Sequence, residues 1–142
     1  GHRLSKHLER CRFPHGHTRI VEVVLRARTL DSSDMVCDYK ALKHVVARAL
    51  ERYDHAMLLA ADDPLRDAFA PFAERVVLME EGDPTTEVIA RHLLGVVSEA
   101  FRPGAEVHGD DGAVYRVPEG VAVERVRVWE TPHTWAEYVA ER

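Results

Sequence analysis

Cys11-Arg12-Phe13-Pro14-His15-Gly16-His17 runs, through Thr18, into Arg19-Ile20-Val21-Glu22-Val23-Val24-Leu25-Arg26-Ala27-Arg28. The second half is rich in β-branched residues and too short for a long helix of this composition, so it reads as a strand continuing from His17. In extended backbone, residues i and i+2 face the same way. His15 and His17 can therefore address one cation, while Gly16 leaves the other face unobstructed. Zinc is the natural candidate, because it accepts neutral imidazole nitrogen, and a catalytic zinc keeps three protein ligands and one open position. Cys11, four residues upstream, adds a thiol that can act as nucleophile or base. Alone, a His-x-His pair is a weak signal, since paired surface histidines are common.

Working outward, Leu30 to Asp34 reads as the turn that ends the strand. Asp38 is a suitable N-cap for a helix over Tyr39 to Tyr53, where Leu42, Val45, Val46, Ala49, Leu50 and Tyr53 recur at helical spacing. Asp54-His55 then falls just past the helix end, where the partial negative charge favours a protonated imidazole. Asp62-Asp63-Pro64 opens a short helix around Leu65 to Phe69, Val76 to Met79 is a short strand, and Glu81 to Pro84 is a loop. A second helix is expected over Thr86 to Phe101, with Ile89, Leu93, Val96, Val97 and Ala100 as its apolar face. Gly109-Asp110-Asp111-Gly112 turns a hairpin, Val121 to Glu130 forms a long strand with Val126, Val128 and Glu130 on one face, and Thr134 to Tyr138 returns as an edge strand. The order predicts one α+β domain over residues 1–142, with helices on one face of an antiparallel sheet.

At 142 residues, 46% hydrophobic and 30% charged, the chain has room for one real core. A net charge of −5 without a basic block argues against nucleic acid as a partner and for a small-molecule substrate. Two cysteines, Cys11 and Cys37, make no disulfide framework, and Cys37 reads as a small core residue. No apolar stretch is long enough to span a bilayer and no signal-peptide pattern is present, so a cytoplasmic location without membrane contact is expected.

Taken in order, Gly1-His2-Arg3-Leu4, the Cys11 to His17 stretch, Tyr53-Asp54-His55, Pro84-Thr85-Thr86-Glu87 and Val128-Trp129-Glu130 resemble the 6-pyruvoyl-tetrahydropterin and 6-carboxy-tetrahydropterin synthase family. The resemblance covers essentially the whole chain. It implies the T-fold, or tunnelling fold, in which each subunit contributes a four-stranded sheet and a helix pair, and subunits assemble into a barrel as a trimer or hexamer. Such assembly would cover the open edges of a small sheet. The family places a strand before its His-Arg-Leu motif, and with Gly1 first that strand is expected to be absent. The short Cys-x-x-x-His-Gly-His spacing resembles the carboxy-forming branch of the queuosine and 7-deazapurine route. The pyruvoyl-forming branch has a longer insertion, and a third branch carries glutamate in place of the cysteine.

By this resemblance, His2, His15 and His17 are the zinc ligands, and Cys11, Asp54 and His55 form the proton-transfer group. Glu130 would anchor the pterin edge, with Thr85 and Thr86 lining the pocket. The expected substrate is 7,8-dihydroneopterin triphosphate, a pterin triphosphate, converted to 6-carboxytetrahydropterin, acetaldehyde and triphosphate. A pyruvoyl-forming lyase and a catalytically silent zinc-binding scaffold are the alternatives. Read as residues alone, Cys11 could also be a fourth metal ligand or a buried thiol, Thr85 and Thr86 could be helix caps, and His55 a helix-terminal cation. Glu87 is first assigned to the helix dipole. No phosphate-binding glycine loop is present, leaving Arg3, Lys6 and Arg12 as the basic residues nearest the histidine motif.

Overall fold

The computed structural model describes residues 1–141; Arg142, included in the expected domain, lies outside them. The order of elements is β1 (Ile20–Arg26), α1 (Tyr39–Glu51), β2 (Met57–Ala60), β3 (Val76–Met79), α2 (Thr86–Ala100), β4 (Glu106–His108), β5 (Val114–Arg116), β6 (Ala122–Thr131) and β7 (Thr134–Val139). Strands β1, β6 and β7 form an antiparallel sheet in the order β1-β6-β7. It is the expected α+β arrangement, with three strands among the described residues where the resemblance implied four.

The platform follows from alternation. Val126 and Val128 of β6 are fully buried, and the buried Ala136 of β7 pairs with Val128. Arg125, Arg127 and Trp129 alternate to the opposite face, where the Arg127 guanidinium lies 4.0 Å from the Trp135 ring centre and pairs with Glu137 at 2.9 Å. Helix α2 packs on β6 and β7, and α1 packs on α2. Asp38 caps α1 by accepting from the Lys40 amide at 2.7 Å, as its position predicted.

The apolar face of α2 differs from the sequence reading. Ile89, Ala90, Leu93, Leu94 and Val97 are buried, Val96 is half-buried and Ala100 is exposed. Packing against both a sheet and a second helix widens the buried stripe and turns it toward Ala90 and Leu94. Each fully buried leucine or valine on this stripe contributes about 1.5–3 kcal/mol of transfer free energy.

Two features were not anticipated. Residues 57–60 form β2, which pairs in parallel with β3 as a separate two-stranded sheet, so the strands are not all antiparallel. The expected short helix is a longer 3-10 segment, Arg66–Arg75, with non-helical backbone at Phe72, next to Pro71. The β4 and β5 hairpin turns at Gly109 to Gly112 as predicted, with Gly112 at φ +80°.

Parallel pairing matters for the site. His2 bridges to both Leu58 of β2 and His15, so the first residues lie between the β2 edge and the His15 loop. The Gly1 carbonyl accepts from the Leu58 amide at 2.9 Å, and the His2 amide donates to the His15 carbonyl at 2.8 Å.

Candidate functional site

His2, His15 and His17 arrive from two directions and converge. Their ligand-capable atoms all lie within 4.8 Å of one another. His15 and His17 come from the extended run leading into β1, and His2 from the segment bridged to β2.

Backbone carbonyls orient two of the rings. His2 Nδ1 lies 2.8 Å from the Pro84 carbonyl and His15 Nδ1 lies 2.8 Å from the Phe13 carbonyl. A carbonyl only accepts, so each Nδ1 carries the proton and each Nε2 is left as a lone pair. The two Nε2 atoms are 3.1 Å apart. With both rings neutral, two lone pairs then face each other with no hydrogen between them, an arrangement that a shared cation satisfies. Second-partner hydrogen bonds of this kind are characteristic of histidines that ligate metal. Burial lowers the His2 pKa to about 4, against the opposing pull of the Pro84 carbonyl, and keeps the ring neutral. Burial also lowers His17, with Glu130 opposing. The donor set of three neutral imidazoles fits zinc.

Cys11 sits in a 3-10 turn, Arg10–Arg12, and lines a cavity of about 280 Å³ together with the three histidines, Thr85, Thr86, Glu87 and Glu130. Its turn is held from below. The Leu4 amide donates to the Cys11 carbonyl at 2.9 Å, and Arg3 Nε donates to the Arg12 carbonyl at 2.9 Å. Arg3 also pairs with Asp63 at 2.6 Å, both side chains being buried. Arg3 is therefore a structural tie and not a free anion-binding group. Among the described residues, the cluster able to hold a metal comprises the three histidines without Cys11.

Thr85 is the N-cap of α2, its hydroxyl accepting from the Val88 amide at 3.2 Å. Thr86, one residue on, is buried and its hydroxyl accepts from Arg19 at 3.0 Å. The capping alternative thus holds for Thr85 alone. Glu130 lies where the β6 and β7 pairing shifts register between Trp129 and Thr131, an irregularity that places its carboxylate beside the histidines. Glu130 Oε1 is 3.5 Å from His17 Nε2 and 3.7 Å from His2 Nε2.

Arg19 belongs to this site and was not singled out in the sequence. Its guanidinium reaches Glu130 Oε1 at 3.0 Å and Thr86 at 3.0 Å, and lies 3.3 and 3.4 Å from the two ring nitrogens of His2. Burial works against ionisation of Glu130, yet the neighbouring Arg19 guanidinium prevails and holds the carboxyl below its usual pKa. The signal was present in the sequence, because the two-residue alternation through His15 and His17 continues to Arg19.

Asp54 and His55 lie elsewhere. They line a second cavity of about 480 Å³ that shares His2 and His17 with the first but includes neither Cys11 nor Glu130. They bond to each other, His55 Nδ1 to Asp54 Oδ1 at 2.9 Å, and their side chains are 90% and 78% exposed. His55 adopts the left-handed conformation, φ +52°, in the turn that follows α1. Tyr53, just before them, is tied to α2 through a chain from its hydroxyl to His92 at 2.8 Å and on to Glu81 at 2.9 Å.

Comparisons with known proteins bear on the family and the fold. The family described as 6-pyruvoyl tetrahydropterin synthase matches residues 1–141. A 6-carboxy-5,6,7,8-tetrahydropterin synthase of Rickettsia conorii is 30% identical over 139 residues, covering 96% of this chain and 91% of its own. A probable 6-carboxy-5,6,7,8-tetrahydropterin synthase of Halobacterium salinarum is 34% identical over 134 residues, covering 93% and 75%. The crystal structure of an uncharacterized Wolinella succinogenes protein shares the fold with a TM-score of 0.75 at 24% identity, over 99% of this chain and 92% of that one. The 6-pyruvoyl tetrahydropterin synthase structure from Plasmodium vivax does so with 0.59 at 19%, over 87% and 79%. With a family match over nearly its full length, the chain belongs to the 6-pyruvoyl tetrahydropterin synthase family.

Proposed function

We propose that this chain is a zinc-dependent 6-carboxy-5,6,7,8-tetrahydropterin synthase acting on 7,8-dihydroneopterin triphosphate, a lyase reaction that releases acetaldehyde and triphosphate. The observation that carries the reading is the convergence of His2, His15 and His17, two of them fixed in tautomer by carbonyls, in the cavity that also holds Cys11 and Glu130. The names of relatives such as those of Rickettsia and Halobacterium support the carboxy-forming branch, as does the short Cys-x-x-x-His-Gly-His spacing.

His2, His15 and His17 would hold the metal, which acts when bound as a Lewis acid toward substrate oxygens. Glu130, held ionised, would accept from the paired N–H edge of the pterin as a charge-assisted bidentate acceptor. Thr86, and Thr85 at the cap, would border that ring. Cys11 faces the same cavity and would serve as the base. Asp54 would hold the His55 ring in place, so that His55 supplies or removes the second proton.

Cys11 and the Asp54/His55 pair line different cavities, so within one chain they meet only across the histidine corner. We further propose a homo-oligomer, a trimer or hexamer as the family resemblance implies. The unpaired edges of β1 and β7, with Ile20, Trp135, Tyr138 and Val139 exposed along them, favour it. Among the described residues no helix is long and apolar enough to cross a membrane.

The test is incubation of zinc-loaded protein with 7,8-dihydroneopterin triphosphate, following acetaldehyde and triphosphate together. Release of both in step supports the reading. Triphosphate with an accumulating pyruvoyl pterin would move the chain to the other branch, and no turnover by the intact zinc-loaded assembly would favour the scaffold.

A further inference from the structure

The turn that carries Cys11 has little of its own to hold it. Arg10–Arg12 is a single 3-10 turn with no buried residue and no side-chain cap at Glu9, and the apolar side chains flanking it, Leu8 and Phe13, are exposed. Three consecutive carbonyls tether it instead. That of Cys11 accepts from the Leu4 amide at 2.9 Å, that of Arg12 from Arg3 Nε at 2.9 Å, and that of Phe13 from His15 Nδ1 at 2.8 Å.

Of these tethers, the one through Arg3 runs on to a distant part of the chain. Arg3 Nη1 donates to Asp63 Oδ1 at 2.6 Å, and Asp63 lies just after β2 with its side chain closed off from solvent. The same oxygen accepts from the Leu65 amide at 2.8 Å, which fixes the carboxylate in its own segment. Asp63 Oδ2 is buried with no hydrogen-bond donor among the described residues. Burying such a pair is costly, and an apolar pair of similar volume often holds a fold as well. What the guanidinium adds is direction, because Nε and Nη1 lie in one rigid plane and meet the Arg12 carbonyl and the Asp63 carboxylate together.

We propose that Arg3 and Asp63 are positioning residues for Cys11: the carboxylate sets the guanidinium plane, and the guanidinium sets the turn that presents the thiol to the cavity of the three histidines. Neither residue lines that cavity or its neighbour, so both act through Cys11. The inference rests on the synthase reading, in which Cys11 is the base. A displacement of about 1 Å in such a group can cost 10²-fold in rate.

Removing one partner alone would strand a buried charge, so the experiment replaces both, Arg3→Met with Asp63→Leu. Arg3→Lys is the finer probe, since a lone ammonium has no second nitrogen in a fixed plane. In both proteins kcat should fall by about 10- to 10²-fold, with zinc content and pterin affinity at wild-type values. Repeated in a Cys11→Ala background under single turnover, the same changes should cost less than about twofold, because effects that pass through one group do not add. Alkylation of Cys11 by iodoacetamide, followed on its own peptide by mass spectrometry, reads the placement without turnover; a released turn should expose the half-buried thiol and speed the reaction several-fold. An undiminished fall in the Cys11→Ala background, a loss of zinc or pterin affinity that accounts for the fall, or wild-type turnover and alkylation in both proteins overturns the proposal. Failure of both to fold assigns the pair to stability and overturns it as well. If zinc-loaded wild-type protein turns nothing over, the synthase reading fails on its own, and the alkylation rates still report whether the pair places the thiol.

Discussion

The histidine corner and the turn after α1 carry the two halves of the proposed chemistry, and they are built in opposite ways. At the corner, each ring of His2 and His15 is held by a backbone carbonyl, and the Cys11 turn is tied down by Leu4 and Arg3. At the turn, Asp54 and His55 are exposed and hold only each other through their side chains. A ligand set must be in place before its ion arrives, and the protein supplies that order from backbone carbonyls. A proton carrier can be ordered later, by substrate or by a neighbouring subunit.

The largest expected effect breaks the corner outright. Zinc measured by elemental analysis should fall from about one per chain to near none in His15→Ala or His17→Ala, with all turnover lost. Full zinc retention in both variants would remove the corner from the metal assignment.

Next in size is Cys11→Ala. Turnover should fall by about 10²–10⁴-fold, the range of a general base, with zinc content unchanged, because the sulfur is outside the ligand cluster. Loss of zinc would make Cys11 a ligand after all.

Asp54→Asn and His55→Gln test the other side. Turnover should drop by about 10²-fold, while zinc content and melting temperature stay at wild-type values, as befits exposed side chains. A large loss of stability would show that the turn is built into the fold as firmly as the corner is.

Glu130→Gln presents a donor where an acceptor is needed. Pterin affinity, by calorimetry, should weaken by about 2 kcal/mol with zinc retained. Unchanged affinity would place the pterin away from the β6 bulge.

The smallest effect concerns the Tyr53, His92 and Glu81 chain that ties the turn to α2. Burial raises the Glu81 pKa, but the hydrogen bond from His92 outweighs it and leaves the pKa below 4.5. The unfolded chain then binds more protons as pH falls below 4.5, so the stabilisation is present above 4.5 and lost as pH drops through the lower folded value. Glu81→Gln should flatten that part of a melting-temperature profile. The group is partly exposed and screened, so less than about 0.5 kcal/mol is expected.

Much of this architecture is written in local pattern. The β-branched run after His17, the Asp38 cap, the helix before Asp54, the Gly109 to Gly112 turn and the paired strands β6 and β7 appear where periodicity put them. Misreadings occur where packing outvotes pattern. Residues 57–60 alternate nothing, because β2 is a short parallel strand buried on most sides, and such runs carry no period. Ala90 and Leu94 were passed over because the width of the buried stripe on α2 depends on two partners at once.

The candidate site divides along the same line. His2, His15, His17, Cys11, Asp54, His55, Thr85, Thr86 and Glu130 could all be named from residue order, since a motif preserves chemistry and spacing. Arg19 was within reach by extending the two-residue alternation by one step.

Sequence by itself determined most of the elements, the residue types able to bind a cation, and the family. Only tertiary structure decided which nitrogen of His2 and His15 is free, that Arg3 is tied to Asp63 and so withdrawn from the pocket, that Arg19 closes on Glu130, and that Cys11 and His55 open onto different cavities. The reason is physical: periodicity is a property of neighbours along the chain, whereas these facts depend on contacts such as His2 with Pro84, Arg3 with Asp63 and Arg19 with Glu130, separated by 82, 60 and 111 positions.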